Sequence, residues 1–147
     1  MNFNTILPPT WAPYLLSVLR IVTAYLFLLH GSTKLLHLPY MEQFANVPLT
    51  SLFGLAGIIE LVGGILLVIG LFSRLVAFVL AGEMAFAYFI VHASASTFLF
   101  PLTNQGEAAV LFCFIFLDIA AAGPGPWSVD AVRERRVKPL PVGTHTS

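Results

Sequence analysis

The sequence predicts an all-α integral membrane protein, a four-helix bundle with both termini in the cytoplasm. Three observations lead there. Of the 147 residues, 58% are hydrophobic and 10% are charged, with a mean hydropathy of +0.89. An average soluble domain carries about 25% charged residues, and a small one buries only about two thirds of its surface. The composition therefore excludes a soluble enzyme, a nucleic-acid binder and a disordered chain. Four apolar stretches, at 14–36, 52–71, 75–92 and 107–122, match or approach the ~20 residues that a spanning helix needs. The basic residues are one-sided. Arg133, Arg135, Arg136 and Lys138 follow the fourth stretch and Arg74 lies between the second and third, whereas the first loop has Lys34 alone and the third has none. The positive-inside rule then places both termini in the cytoplasm.

The elements follow in order. Residues 1–13 read as an interfacial segment, with Pro8, Pro9 and Pro13 ahead of the first span. That span carries Arg20 and lacks a basic leader, so it does not read as a cleaved signal peptide. Pro39 and Pro48 bracket the first loop, Gly70-Leu-Phe-Ser-Arg74 is a tight turn, and Pro101 marks the third loop. Gly123-Pro-Gly-Pro126 ends the fourth span, which closes a membrane domain over 14–123 and leaves 124–147 as a basic cytoplasmic tail. The runs are continuous rather than alternating, and four strands could not close a membrane barrel. Trp11, Tyr14, Tyr40 and Trp127 read as interface belts. Cys113, the one cysteine, sits mid-span as a small hydrophobe and forms no internal disulfide.

Ionisable groups inside spans are costly and mark function or a pairing partner. Every span has one: Arg20, Glu60, Glu83 and Asp118, with His30, Lys34, His92 and Glu107 near the outer ends. At ~1.5 Å per residue from the cytoplasmic ends, Asp118, Arg20 and Glu83 make an inner layer at about 8 to 14 Å. His30, His92 and Glu107 make an outer layer at about 24 to 27 Å, with Lys34 slightly above it and Glu60 between the layers at about 18 Å. The inner layer reads as a structural ion pair of Arg20 with Asp118 or Glu83 that fixes helix register. The outer layer reads as a ligand or proton site opening toward the outer face. At about 100° per residue, Arg20, Thr23, Phe27, His30 and Lys34 share one face of the first helix. Gly57, Glu60 and Gly64 share a face of the second, and Glu107 and Asp118 share one on the fourth. Glu83 and His92 point to opposite sides of an ideal helix, so one leaves the interior or the helix frays before His92.

The motifs His30-Gly-Ser-Thr-Lys34-Leu, Glu60-Leu-Val-Gly-Gly64 and Ile69-Gly-Leu-Phe-Ser-Arg74-Leu come in order, followed by Asn104-Gln-Gly106-Glu107 and Gly123-Pro-Gly125-Pro-Trp-Ser128-Val-Asp130. In this order and spacing, over about residues 14–130, the chain resembles the DoxX family of small four-helix bacterial membrane proteins. The match departs at Pro126, where the family often has a basic residue. The resemblance implies a multi-pass bacterial plasma-membrane protein of the oxidoreductase type, since relatives include subunits of thiosulfate–quinone oxidoreductase and proteins linked to quinone and thiol stress. The positions that match are His30, Lys34, Glu60, Arg74, Asn104 and Glu107.

The resulting expectation is a redox-associated subunit that binds a quinone or similar small oxidant. His30, Glu60 and Glu107 would carry protons, Lys34, Asn104 and His92 would bind substrate, and Glu60 would relay a proton inward toward Glu83. Reducing a quinone takes two protons, which desolvated carboxyl and imidazole groups supply. There is no flavin, haem or iron–sulfur signature and no metal site, so electrons would come from a redox partner protein. The lipid bilayer is the other partner, a homo-oligomer is compatible, and nucleic acid is not expected. A small-molecule or proton transporter and a non-catalytic assembly subunit stay open beside this reading.

Overall fold

The computed structural model of this chain describes residues 6–137. Lys138, the last cation of the basic tail, lies outside the described residues. A 3-10 turn at Pro9–Trp11 runs into α1 (Ala12–Leu35). After a turn at Glu42–Phe44 come α2 (Leu52–Ile69), α3 (Ser73–Ala87), a π-helical turn at Tyr88–His92, α4 (Glu107–Ala122) and α5 (Val129–Val137). Among the described residues there is no strand. The protein is all-α. Three segments are long and apolar enough to cross a membrane, Pro9–Leu35, Leu52–Ile69 and Ser73–His92. The fourth, α4, has 16 residues and so rises about 24 Å, short of the ~30 Å hydrocarbon core.

Helix α1 packs along α2 and α3 along α4, and the two pairs join through α2–α3 and α1–α4. Small residues set the first contact. A Cβ at Gly31 would stand 2.5 Å from the Leu61 nitrogen and 2.8 Å from the Gly57 carbonyl oxygen, so only glycine lets the backbones meet there. Gly31 lies 19 residues after Ala12 (31 − 12), whereas Leu61 lies 8 before Ile69 (69 − 61). Helix α1 therefore overhangs the C-terminus of α2 by roughly 16 Å. Ala24, Phe27, Leu67, Leu80, Phe116 and Ile119 fill the interior, while Val22, Val62, Phe78, Leu111 and Phe114 project outward. That inside-out apolar surface suits lipid.

The turn between α2 and α3 is built from glycine and one carboxylate. Gly70 takes the left-handed conformation (φ 72°), and the Leu71 N–H donates to Leu66 O at 2.9 Å, a Schellman closure. Asp130, two residues into α5, accepts the Phe72 N–H at 3.0 Å and the Ser73 N–H at 2.8 Å, capping the start of α3. Helix α5, unforeseen in the sequence reading, begins on the Ser128 hydroxyl, which accepts the Ala131 N–H at 3.1 Å. Burial pushes the Asp130 carboxyl up. The Ser73 and Phe72 N–H groups and the Arg133 charge outweigh it and hold the carboxyl below the usual aspartate range. A folded-state value lowered in this way stabilises above the unfolded value of about 4 and is lost as pH falls through the folded value. Asp130→Ala is expected to cost about 0.5 to 2 kcal/mol at neutral pH. Thermal melts in detergent from pH 7 to pH 3 should show its deficit against wild type closing at the acid end, and a deficit constant over that range would refute the capping role.

Candidate functional site

Lys34, in the last turn of α1, lies across from Gly57 of α2. A Cβ at Gly57 would come within 3.1 Å of the Lys34 Cβ, so the glycine makes room for the lysine stem. The ammonium then reaches one turn along α2 to Glu60, with Nζ 2.6 Å from Oε1 and 2.7 Å from Oε2. The two side chains are 10% and 4% exposed, and this is the only ion pair among the described residues. A second contact holds the ammonium, which stands 5.9 Å from the centre of the Phe44 ring in the loop above.

The pair forms part of the wall of a cavity of about 260 Å³. His30 and His92 also line it, and Phe27, Phe53, Met84 and Phe112 supply much of its apolar surface. The His30 and Phe112 rings meet edge to face at 5.7 Å. His92 reaches the cavity because α3 ends in a π turn, closed by the Ala93 N–H on Tyr88 O at 2.8 Å. His92 lies within this i→i+5 turn, so its angular offset from Glu83 is not that of an ideal α-helix, and of the two only His92 lines the cavity. The His92 Nδ1 stands 3.2 Å from the Asn104 carbonyl oxygen, so the loop before α4 fixes the ring. Four of the residues singled out in the sequence thus meet in one hollow: His30 at its rim, and Lys34, Glu60 and His92.

The other assignments need correction. Glu107 does not join the cavity. The inner face of α4 runs through Ala109, Phe116 and Ile119, and Glu107 lies two residues, about 200°, from Ala109. Asp118 stands in the same relation to Phe116, so the shared face of these two acids is the exposed one. Asn104 turns its side chain into the loop, donating to Thr97 O at 3.0 Å and to the Tyr88 hydroxyl at 3.3 Å and accepting the Gly106 N–H at 2.9 Å. It organises the loop that holds His92. Arg20 pairs with neither Asp118 nor Glu83. Fully buried, it donates to the carbonyls of Pro124 (2.8 Å), Leu67, Val68 (2.8 Å) and Trp127. Carbonyls at a helix C-terminus carry partial negative charge, and those of Leu67 and Val68 hold the cation with no carboxylate in hydrogen-bond contact. Arg74 does the same for α4, donating to Ala120, Ala121 and Ala122.

Sequence reasoning missed the Lys34–Glu60 pair, the aromatic lining and Gln105, which borders the cavity with φ at 61°. The spacing of Lys34 one turn beyond His30, opposite a helix with Gly57 and Glu60 on one face, was the available signal. Among the described residues no three of His, Cys, Asp and Glu stand close enough to share a metal ion.

A family model described as DoxX matches residues 15–93. A protein of Haemophilus influenzae, described as uncharacterized, is 43% identical over 122 residues, covering 82% of this chain and 91% of its own length. No solved structure matches the chain.

Proposed function

This chain belongs to the DoxX family of membrane proteins, and from that premise we propose that it is a redox-associated plasma-membrane subunit that binds a quinone ring in the cavity beside Lys34. In this reading four helices cross the bilayer, both termini are cytoplasmic and the cavity opens toward the outer face. The basic residues Arg74, Arg133, Arg135 and Arg136 gather at the opposite end from Lys34, as the positive-inside rule asks. The observation that carries the reading is the Lys34–Glu60 pair in the wall of an aromatic-lined hollow. A cavity of ~150 Å³ accepts benzene, so about 260 Å³ has room for a substituted ring. The Lys34 ammonium has three donors, and Glu60 occupies only part of them. It would donate to one quinone carbonyl oxygen while His30 donates to the other.

Reduction of quinone to quinol takes two electrons and two protons. In this reading a partner redox protein supplies the electrons, and His30 and His92 pass the protons. Isothermal titration of the purified protein in detergent with a short-tailed ubiquinone analogue tests this. Wild type should bind, and Lys34→Met should bind at least about tenfold more weakly, the worth of one charge-assisted hydrogen bond. Glu107→Gln, on the exposed face, should bind as wild type does. Equal affinity of wild type and Lys34→Met, or no binding by wild type, would overturn the reading.

A further inference from the structure

Glu83 is, among the described residues, the carboxyl whose two oxygens are both shut away from solvent with no hydrogen-bond partner. Its place in the fold can be fixed from the helix contact below it. Gly63 of α2 meets Leu80 of α3, where a Cβ would lie 2.7 Å from Leu80 Cδ2. The tight turn at Gly70 makes the two helices antiparallel. Glu60 lies three residues before Gly63 and Glu83 three after Leu80, so both rise about 4.5 Å from that contact toward the same end. They stand level on neighbouring helices, next to the cavity-lining Met84.

The charges around them do not balance if both are ionised. Helix α1 presents Lys34 and His30, α2 presents Glu60, and the end of α3 presents His92. The acids of α4, Glu107 and Asp118, face outward. The Lys34 ammonium is bonded to both oxygens of Glu60. One cation thus serves two buried carboxyls. A second carboxylate, desolvated and unpaired beside the first, is the expensive state, and level carboxyls sharing one counter-ion titrate as a unit.

We propose that Glu83 holds a proton as a neutral carboxylic acid, and that Glu60, Glu83 and Lys34 form a buried proton-exchange site whose ligand is that proton. At rest Glu60 bears the charge and Glu83 the O–H. When Lys34 swings from Glu60 to Glu83, the O–H bond at Glu83 breaks and one forms at Glu60. One proton and one negative charge are present before and after. The site does not depend on quinone binding.

Infrared spectroscopy of the ligand-free full-length protein at neutral pH, in micelles of a maltoside detergent that carries no carbonyl group, tests it, because only a protonated carboxyl then shows the carboxylic C=O band. Wild type should show one such band that Glu83→Gln lacks. Glu83→Gln, a neutral near-isostere of the acid, should melt within a few degrees of wild type. Lys34→Met should gain a second carboxylic band, since Glu60 then also takes a proton. A wild-type spectrum indistinguishable from that of Glu83→Gln would overturn the proposal, as would a Lys34→Met spectrum without the added band. Both measurements are made without quinone, so failure here leaves the titration result standing and the reverse.

Discussion

Arg20→Met is expected to lose more than about 3 kcal/mol of stability, the largest effect of any single substitution in this chain. Arg20 is fully buried and joins three pieces of chain: its own helix, the end of α2 through Leu67 and Val68, and the Gly123–Trp127 segment through Pro124 and Trp127. Methionine fills similar space but leaves those carbonyls without a donor. A buried unsatisfied acceptor costs about 1 to 3 kcal/mol, and water reaches this end only in part. Arg20→Lys should recover little, because a point ammonium with three donors cannot span acceptors arranged for a planar fork. At roughly 2 to 4 °C per kcal/mol for a chain of this size, the melting temperature in detergent should fall by roughly ten degrees. Arg20→Met melting within two degrees of wild type would show that Arg20 does not hold these segments together.

The helices were legible because their signal is local. Continuous apolar runs bounded by Pro and Gly gave α2 as 52–71 against an observed Leu52–Ile69, and gave α4 without change. The sharing of one face by Glu107 and Asp118 was legible too. Which way that face points was not, because orientation is decided by what Ala109, Phe116 and Ile119 pack against, and a lone periodicity has no sign. Depth failed for a different reason. Counting from a common cytoplasmic baseline put Lys34 well above Glu60, yet α1 overhangs α2 and Gly57 admits the lysine stem, so the two groups bond. The partner of Arg20 was sought among carboxylates because charge is visible in a sequence. Backbone carbonyls freed at a helix end are not, and they emerge only once Gly70 and the Gly123–Trp127 segment close over them. The π turn that holds His92 is closed by the Ala93 N–H on Tyr88 O, a bond that apolar periodicity does not announce.

Removing both carboxyls from the buried triad should cost more than the two single removals summed. In Glu60→Gln the Lys34 ammonium loses its 2.6 Å partner, but Glu83 stands level on the next helix and gives up its proton to take over as counter-ion. The expected cost is about 1 kcal/mol, that of one exchanged contact. In Glu83→Gln a neutral acid becomes a neutral amide and the Lys34–Glu60 pair persists, so the cost is again about 1 kcal/mol or less. The double variant leaves a buried ammonium with only the Phe44 ring at 5.9 Å, and an uncompensated buried charge costs about 3 to 5 kcal/mol. The coupling energy should therefore be at least about 1 kcal/mol and unfavourable. Adding Lys34→Met to the double variant removes the stranded charge, and the melting temperature should climb back toward that of wild type. Denaturation of the five proteins in one detergent closes the cycle. Additive single costs would mean that Lys34 cannot use Glu83, and a triple variant no more stable than the double would mean that packing, not charge, sets the loss.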